Sequence, residues 1–217
     1  MKIAEKLSHI KNSLPASVTL VAVSKTKPLE DLLEAYDAGQ RIFGENKIQE
    51  MTSKWETLPK DISWHMIGHV QRNKVKYMAP YVALIHGVDS LKLLKEINKQ
   101  GANNNRTINC LLQVHIAEED TKFGFDEEEL TAMIQDPEFS SLAHIHISGL
   151  MGMATFTNDT LQVRREFKAL HQLYTKLQEQ LPDMTILSTG MSGDYTIALE
   201  EGSTMVRIGS SIFGARK

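Results

Sequence analysis

The apolar run VTLVAVS (18–24) ends on Lys25, an amine placed where a buried strand would open onto solvent. A lysine held at such a rim is partly desolvated, which disfavours the ammonium, lowers its pKa and leaves a nitrogen able to form a Schiff base with a carbonyl. Arg207 stands two residues inside the last apolar run, TMVRIG (204–209), and would aim a fixed cation at the same region. Two stretches rich in glycine and hydroxyl groups, TGMSGD (189–194) and RIGSS (207–211), follow the last two apolar runs. Glycine lets the backbone approach a ligand, and exposed N–H groups coordinate an anion. Ser192, Gly193, Gly209 and Ser210 are therefore the candidates for gripping a phosphate. Lys27 shares strand parity with Lys25 but precedes Pro28 at a helix entrance, so it reads as a solvated lysine.

These groups lie far apart in the chain, so the elements between them must bring them to one opening. Eight short apolar runs occur, at 18–24, 41–44, 62–68, 81–87, 108–116, 144–151, 185–190 and 204–209, separated by segments of helical period. PLEDLLEAYDAG (28–39) starts on proline and ends on glycine, the asymmetry of a helix. DSLKLLKEINKQG (89–101) offers Asp89 as a cap, and the amphipathic segment 158–181 is closed by Pro182. Alternation of this kind predicts a single-domain (β/α)8 TIM barrel over residues 1–217, with an open doubly wound sheet as the alternative. A leading helix, IAEKLSHIKNSL (3–14), carries apolar residues at 3, 7, 10 and 14 and is expected to cap the barrel floor. Chemistry in such barrels collects at the carboxyl ends of the strands. Lys25, Glu45, Asn46, His69, Asp89, Lys122, Met153, Thr155, Ser192 and Ser210 all fall there.

Composition narrows the function. The net charge is -3, with 24 Lys and Arg scattered among 27 acids, which leaves no basic footprint for nucleic acid. No apolar stretch has the length of a membrane span or a signal peptide, so a cytoplasmic protein is expected. The one cysteine, Cys110 in INCLLQV, is expected to be buried and inert. His65 and His69 straddle a strand end and a glycine, with no acidic partner expected beside them, so no metal site is expected. Met66, Met78, Met133 and Met205 read as core filler, and Met151, Met153 and Met191 as lining for a ligand.

The motifs VAVSKTKP, FGEN, WHMIGHVQRNK, STGMSGDY and GSTMVRIGSSIFGAR, in that order from Leu20 to Arg216, resemble the pyridoxal phosphate homeostasis protein family, whose barrel is similar to the N-terminal domain of alanine racemase. The resemblance implies pyridoxal 5'-phosphate bound as a Schiff base on Lys25. It implies the phosphate on Ser192 and the backbone around Gly209 and Ser210, Arg207 facing the pyridine nitrogen, and Asn46 at the polar edge of the ring. EEDTKFG (118–124) is a variant of a Lys-x-Gly loop of the family, and Lys122 or Lys74 is a candidate for a second, transient attachment point. An arginine has only donors and cannot keep the ring nitrogen protonated, as the carboxylate of an aminotransferase does. Alanine racemase also draws an acid–base tyrosine from a second domain of its partner subunit. The chain ends directly after the eighth unit, and Tyr195 is the tyrosine that would have to substitute. The expectation is therefore a monomeric carrier that stores or delivers the cofactor to apo-enzymes without turnover. A racemase lacking its second domain is the first alternative, and a Schiff-base aldolase on a sugar phosphate the second.

Overall fold

The computed structural model describes residues 2–119 and 123–215. Along the chain run α1 (Ile3–Ser13), β1 (Thr19–Val23), α2 (Leu29–Asp37), β2 (Ile42–Glu45), α3 (Ile48–Thr57), β3 (Ser63–Met66), α4 (Val75–Met78) and β4 (Leu84–Val88). There follow α5 (Leu91–Asn103), β5 (Ile108–Val114), α6 (Glu127–Gln135), α7 (Pro137–Ser140), β6 (Ile145–Gly152), α8 (Thr160–Leu177), β7 (Ile186–Ser188), α9 (Tyr195–Glu200), β8 (Met205–Ile208) and α10 (Ser210–Phe213). All neighbouring strands pair in parallel, and β8 returns to pair with β1 through Leu20 and Val206, Val21 and Arg207, so the sheet is a closed TIM barrel. That closure disposes of the open doubly wound alternative.

Strand residues alternate between two cores, as a period of 2 requires. Leu20, Ala22, Ile85, Cys110, Leu112, Leu150, Val206 and Ile208 pack outward into the shell beneath the helices. Val21, Leu84, Leu111, Met151 and Met205 pack inside the barrel. On β6 the alternation is reset by a bulge: Cys110 pairs with Ile147, but Leu111 pairs with Gly149, which skips Ser148. Ile147 and Leu150 can then both face the shell while Met151 turns inward. Only glycine fits at the bulge, because φ is +156° at Gly149 and a Cβ there would lie 1.7 Å from the Ile186 carbonyl oxygen.

Helix starts follow local chemistry. Ser90, not the expected Asp89, caps α5 by accepting from Leu93 N at 3.3 Å, and Asp159 caps α8 by accepting from Leu161 N at 2.9 Å. The helix α1 exists as expected but does not cover the floor. It packs against α2 and α10 at the seam where β8 meets β1, with Ala4 N donating to Glu34 Oε1 at 3.2 Å and Lys11 Nζ to Gly39 O at 3.0 Å. The physical reason is the length of α10, whose 4 residues cannot shield that part of the outer sheet, so Leu7 and Ile10 of α1 are buried there instead.

Candidate functional site

Lys25 lies two residues past Val23 and four past Val21, which faces the barrel interior, so strand parity carries it to the inner rim, where it is half-buried. The chain then turns sharply: Lys27 N donates to Ser24 O at 3.0 Å, and Thr26 has φ +63°. A β-branched residue in this left-handed region carries strain of about 1–3 kcal/mol that the surroundings must hold. Asn46 has the inward parity of Gly44 and stands half-buried at the end of β2.

The loops after β7 and β8 come together at the same rim. Gly209 N donates to Ser192 Oγ at 3.3 Å, and Asp194 Oδ1 accepts from Met191 N at 2.5 Å, which ties the first loop down. Gly209 also lies against the end of β1, since a Cβ there would sit 3.1 Å from the Val23 carbonyl oxygen. Ser192 is half-buried, and Gly193 and Ser210 are exposed. Backbone N–H groups and hydroxyls thus gather two residues from the lysine, an arrangement suited to a phosphate ester whose other end meets an amine.

Below the rim, a hydrogen-bonded chain crosses the barrel. Arg207 is 4% exposed and donates from Nη1 to Ser188 O and Oγ, both at 2.7 Å, and from Nη2 to Gly152 O at 3.0 Å. Ser188 Oγ is 3.1 Å from His86 Nδ1, and His86 Nε2 is 3.1 Å from His65 Nδ1. Because the guanidinium can only donate, the serine hydroxyl is free to donate to His86 Nδ1, and His86 Nε2–H then donates to His65 Nδ1. Burial holds His65 down to about 3, and burial, then His65 and Arg207, hold His86 well below the imidazole range. Burial lowers Arg207 to about 10, partly countered by Asp194. Both imidazoles are neutral near pH 7, and the guanidinium remains the interior's fixed charge.

A pH dependence follows. The unfolded chain protonates these histidines below 6.5 while the folded state does not, so they weaken the fold as pH falls from 6.5 toward 3. The expected slope is about 1 kcal/mol per pH unit for each histidine. Glu45, raised chiefly by burial, works in the opposite direction by binding its proton earlier in the folded state. Urea unfolding between pH 7 and 5 should show the loss, and His65→Gln should halve it; an unchanged slope in that variant would disprove the assignment.

Several residues take other places than the sequence suggested. Lys27 is not solvated: the turn at Thr26 swings it outward, where Nζ donates to Phe213 O at 3.1 Å, Gly214 O at 3.2 Å and Ala215 O at 3.1 Å and so caps the end of α10. His69 does have an acidic partner, with Nδ1 3.1 Å from Asp89 Oδ2, because the ends of β3 and β4 adjoin; its ring stacks on Phe123 at 4.1 Å. His65 points inside the barrel instead, so the two histidines do not share a face. Tyr195 turns toward α1, its hydroxyl 3.4 Å from Ser13 Oγ. Cys110 is fully buried, and burial pushes its thiol far up. Met151 is buried inside the barrel, Met153 is half-buried above it, and Met191 is 36% exposed. Lys122 lies outside the described residues, and Lys74 sits in the short turn between β3 and α4.

The sequence placed Glu45 at a strand end without giving it a role or a partner. Glu45 closes β2 pointing outward, and its Oε1 accepts from Ser24 Oγ at 2.6 Å and from Lys54 Nζ at 2.8 Å. The signal was present in α3, where Lys54 occupies the apolar stripe of Ile48, Met51 and Leu58 and lies four residues after Glu50.

Comparison with known proteins gives the family and the fold. Residues 1–217 match the family model described as alanine racemase, N-terminal domain. The chain is 41% identical over 207 residues to the pyridoxal phosphate homeostasis protein of Vibrio alginolyticus, covering 93% of this chain and 88% of that one. It is 39% identical over 206 residues to the protein of the same name from Schizosaccharomyces pombe, covering 92% and 85%. PipY of Synechococcus elongatus, solved without PLP, superposes with a TM-score of 0.92 at 36% identity, over 98% of this chain and 100% of that one; the form with PLP bound superposes at 0.89. Alanine racemase of Bartonella henselae, at 16% identity and a TM-score of 0.75, shares the fold over 58% of its length.

Proposed function

This chain belongs to the pyridoxal phosphate homeostasis protein family, built on the alanine racemase N-terminal domain, and from that premise we propose that it holds pyridoxal 5'-phosphate as a Schiff base on Lys25 and stores or delivers it without catalytic turnover. The observation that carries this reading is the meeting of three chain segments at one rim. The end of β1, which bears Lys25, lies against Gly209, whose amide donates to Ser192.

The residues fit the cofactor. An amine on the inner face of the rim suits its aldehyde, and Ser192, Gly193, Gly209 and Ser210 supply hydroxyls and backbone N–H groups for its phosphate. Arg207 offers the ring nitrogen a donor and no acceptor, and Asn46 on the neighbouring strand suits a polar ring substituent. When bound, the cofactor supplies an aldehyde that exchanges between amines. Lys25 would hold it, the two loops would orient it, and Arg207, having only donors, would leave the ring nitrogen without the proton that makes it a strong electron sink.

The same features favour carriage over racemisation. A racemase needs an acid–base group on each face of the reacting carbon, within hydrogen-bond reach. Tyr195, the candidate for one of them, is committed toward α1. We read residues 1–217 as one cofactor-binding unit acting as a monomer, with PLP-dependent apo-enzymes as recipients. Delivery is tested by mixing loaded protein with such an apo-enzyme: reconstitution should outpace that by free pyridoxal phosphate at equal concentration. An equal or slower rate would leave storage and remove delivery. Deuterium exchange at the alpha carbon of amino acids, dependent on Lys25, would restore the racemase.

A further inference from the structure

The turn that presents Lys25 is held from outside the barrel by a buried ion cluster on α3. Lys54 is 5% exposed, and its ammonium donates to Ser24 O at 2.8 Å, Glu45 Oε1 at 2.8 Å and Glu50 Oε1 at 2.7 Å, which uses all of its N–H groups. Ser24 Oγ donates to Glu45 Oε1 at 2.6 Å, and Thr26 N donates to Glu50 Oε1 at 2.6 Å. The residues on both sides of Lys25 are thereby tied to α3 and β2, and the left-handed Thr26 is fixed at φ +63° by a charge-assisted bond. Glu45 and Lys54 are buried, so the bonds between them are little screened, whereas Glu50 and Thr26 close the cluster at its solvent edge.

We propose that Glu50 and Lys54 are positioning residues for Lys25: through Thr26 N, Ser24 O and Glu45 they hold the strained turn that aims the lysine amine at the cofactor aldehyde. The inference rests on the reading of Lys25 as the attachment point. Condensation there forms the C=N bond and releases the aldehyde oxygen, with both amine hydrogens, as water. A strained residue next to a reactive one keeps its conformation only while its surroundings impose it. Without Glu50 the Thr26 amide loses its acceptor, the turn relaxes toward negative φ, and the Lys25 side chain leaves its heading. The phosphate loops, on β7 and β8, are untouched by the cluster, so the first association of the cofactor is not impaired.

The test is the kinetics of loading, followed by visible absorbance and by borohydride-trapped adduct, with hydrogen exchange of the Thr26 amide measured in parallel. In Glu50→Ala the limiting rate of condensation should fall about tenfold or more, since misplacement of a reacting group by 1 Å costs up to that order and beyond. The cofactor concentration giving half that rate should stay unchanged, and Thr26 protection should be lost. Glu50→Gln keeps an oxygen for Thr26 N and Lys54 and should restore both rate and protection, which a general loss of stability would not distinguish. Lys54→Met should show the same split, and it serves if Glu50→Ala does not fold. An unchanged rate in Glu50→Ala, a rise in the half-saturating concentration that accounts for the slowing, or a Glu50→Gln as slow as Glu50→Ala would each overturn the inference. The parent protein separates the two readings: no adduct at Lys25 in the parent defeats the functional proposal, whereas normal loading in both parent and Glu50→Ala defeats this one alone.

Discussion

Lys25→Ala is expected to abolish the covalent capture of pyridoxal phosphate, with no visible absorption band on mixing and no borohydride-stable adduct by mass spectrometry. The whole covalent term is lost because the inward-facing position at the end of β1 then carries no amine. Weak association should remain, since the loops at Ser192 and Gly209 still offer hydrogen bonds to a phosphate, each worth roughly 1.5–3 kcal/mol when the acceptor is charged. The fold should survive within about 0.5 kcal/mol, because the turn around Lys25 is fastened through Ser24 and Thr26. Lys27→Ala is the paired control. It should load fully at Lys25 yet lose about 1 kcal/mol of stability, since Lys27 caps the carbonyls of Phe213 and Gly214. An undiminished adduct in Lys25→Ala, or one mapped to Lys27, would overturn the attachment point.

Arg207→Met should destabilise the fold by about 3 kcal/mol or more, read as a lower urea midpoint at unchanged slope. The guanidinium joins three strands from inside the barrel, because it rises from β8 and donates to Ser188 O of β7 and Gly152 O of β6. Methionine fills the volume but leaves both carbonyls without that donor. Arg207→Lys should recover part of the loss, since one ammonium cannot match a planar fork that reaches two strands. The same variant reads the cofactor: if Arg207 faces the ring nitrogen, the visible band of loaded Arg207→Met should shift. Stability within 1 kcal/mol of the parent, with an unshifted band, would show that Arg207 neither ties the strands nor meets the ring.

How much of this was legible differs from residue to residue. Alternating apolar runs and helical segments announced the eight strands, and the position of Lys25 directly after the first run put an amine at the expected mouth of the barrel. Adjacent Gly-Ser turns after the last two runs marked the candidate phosphate loops, and Pro28 and Pro182 marked where a helix starts and where one has ended. All of these signals are local, spanning a few residues, and local chemistry is what periodicity and turn composition report.

What the sequence left open depends on partners brought together by closure of the barrel. Pro28 made Lys27 read as a solvated lysine at a helix entrance, but the left-handed turn at Thr26 gave it the carbonyls of α10, 186 to 188 residues away. Glu45 was visible as a residue at a strand end, yet only the packing of α3 on β2 showed that it meets Lys54. His65, His86 and Ser188 come from β3, β4 and β7, and no spacing along the chain foretells their single hydrogen-bonded line. The sequence by itself determined which residue types stand at strand ends and which way regular strands face them. The tertiary structure decided what each charge pairs with, because a buried polar group takes whichever partner the closed barrel delivers, and that choice is made across the sheet and not along the chain.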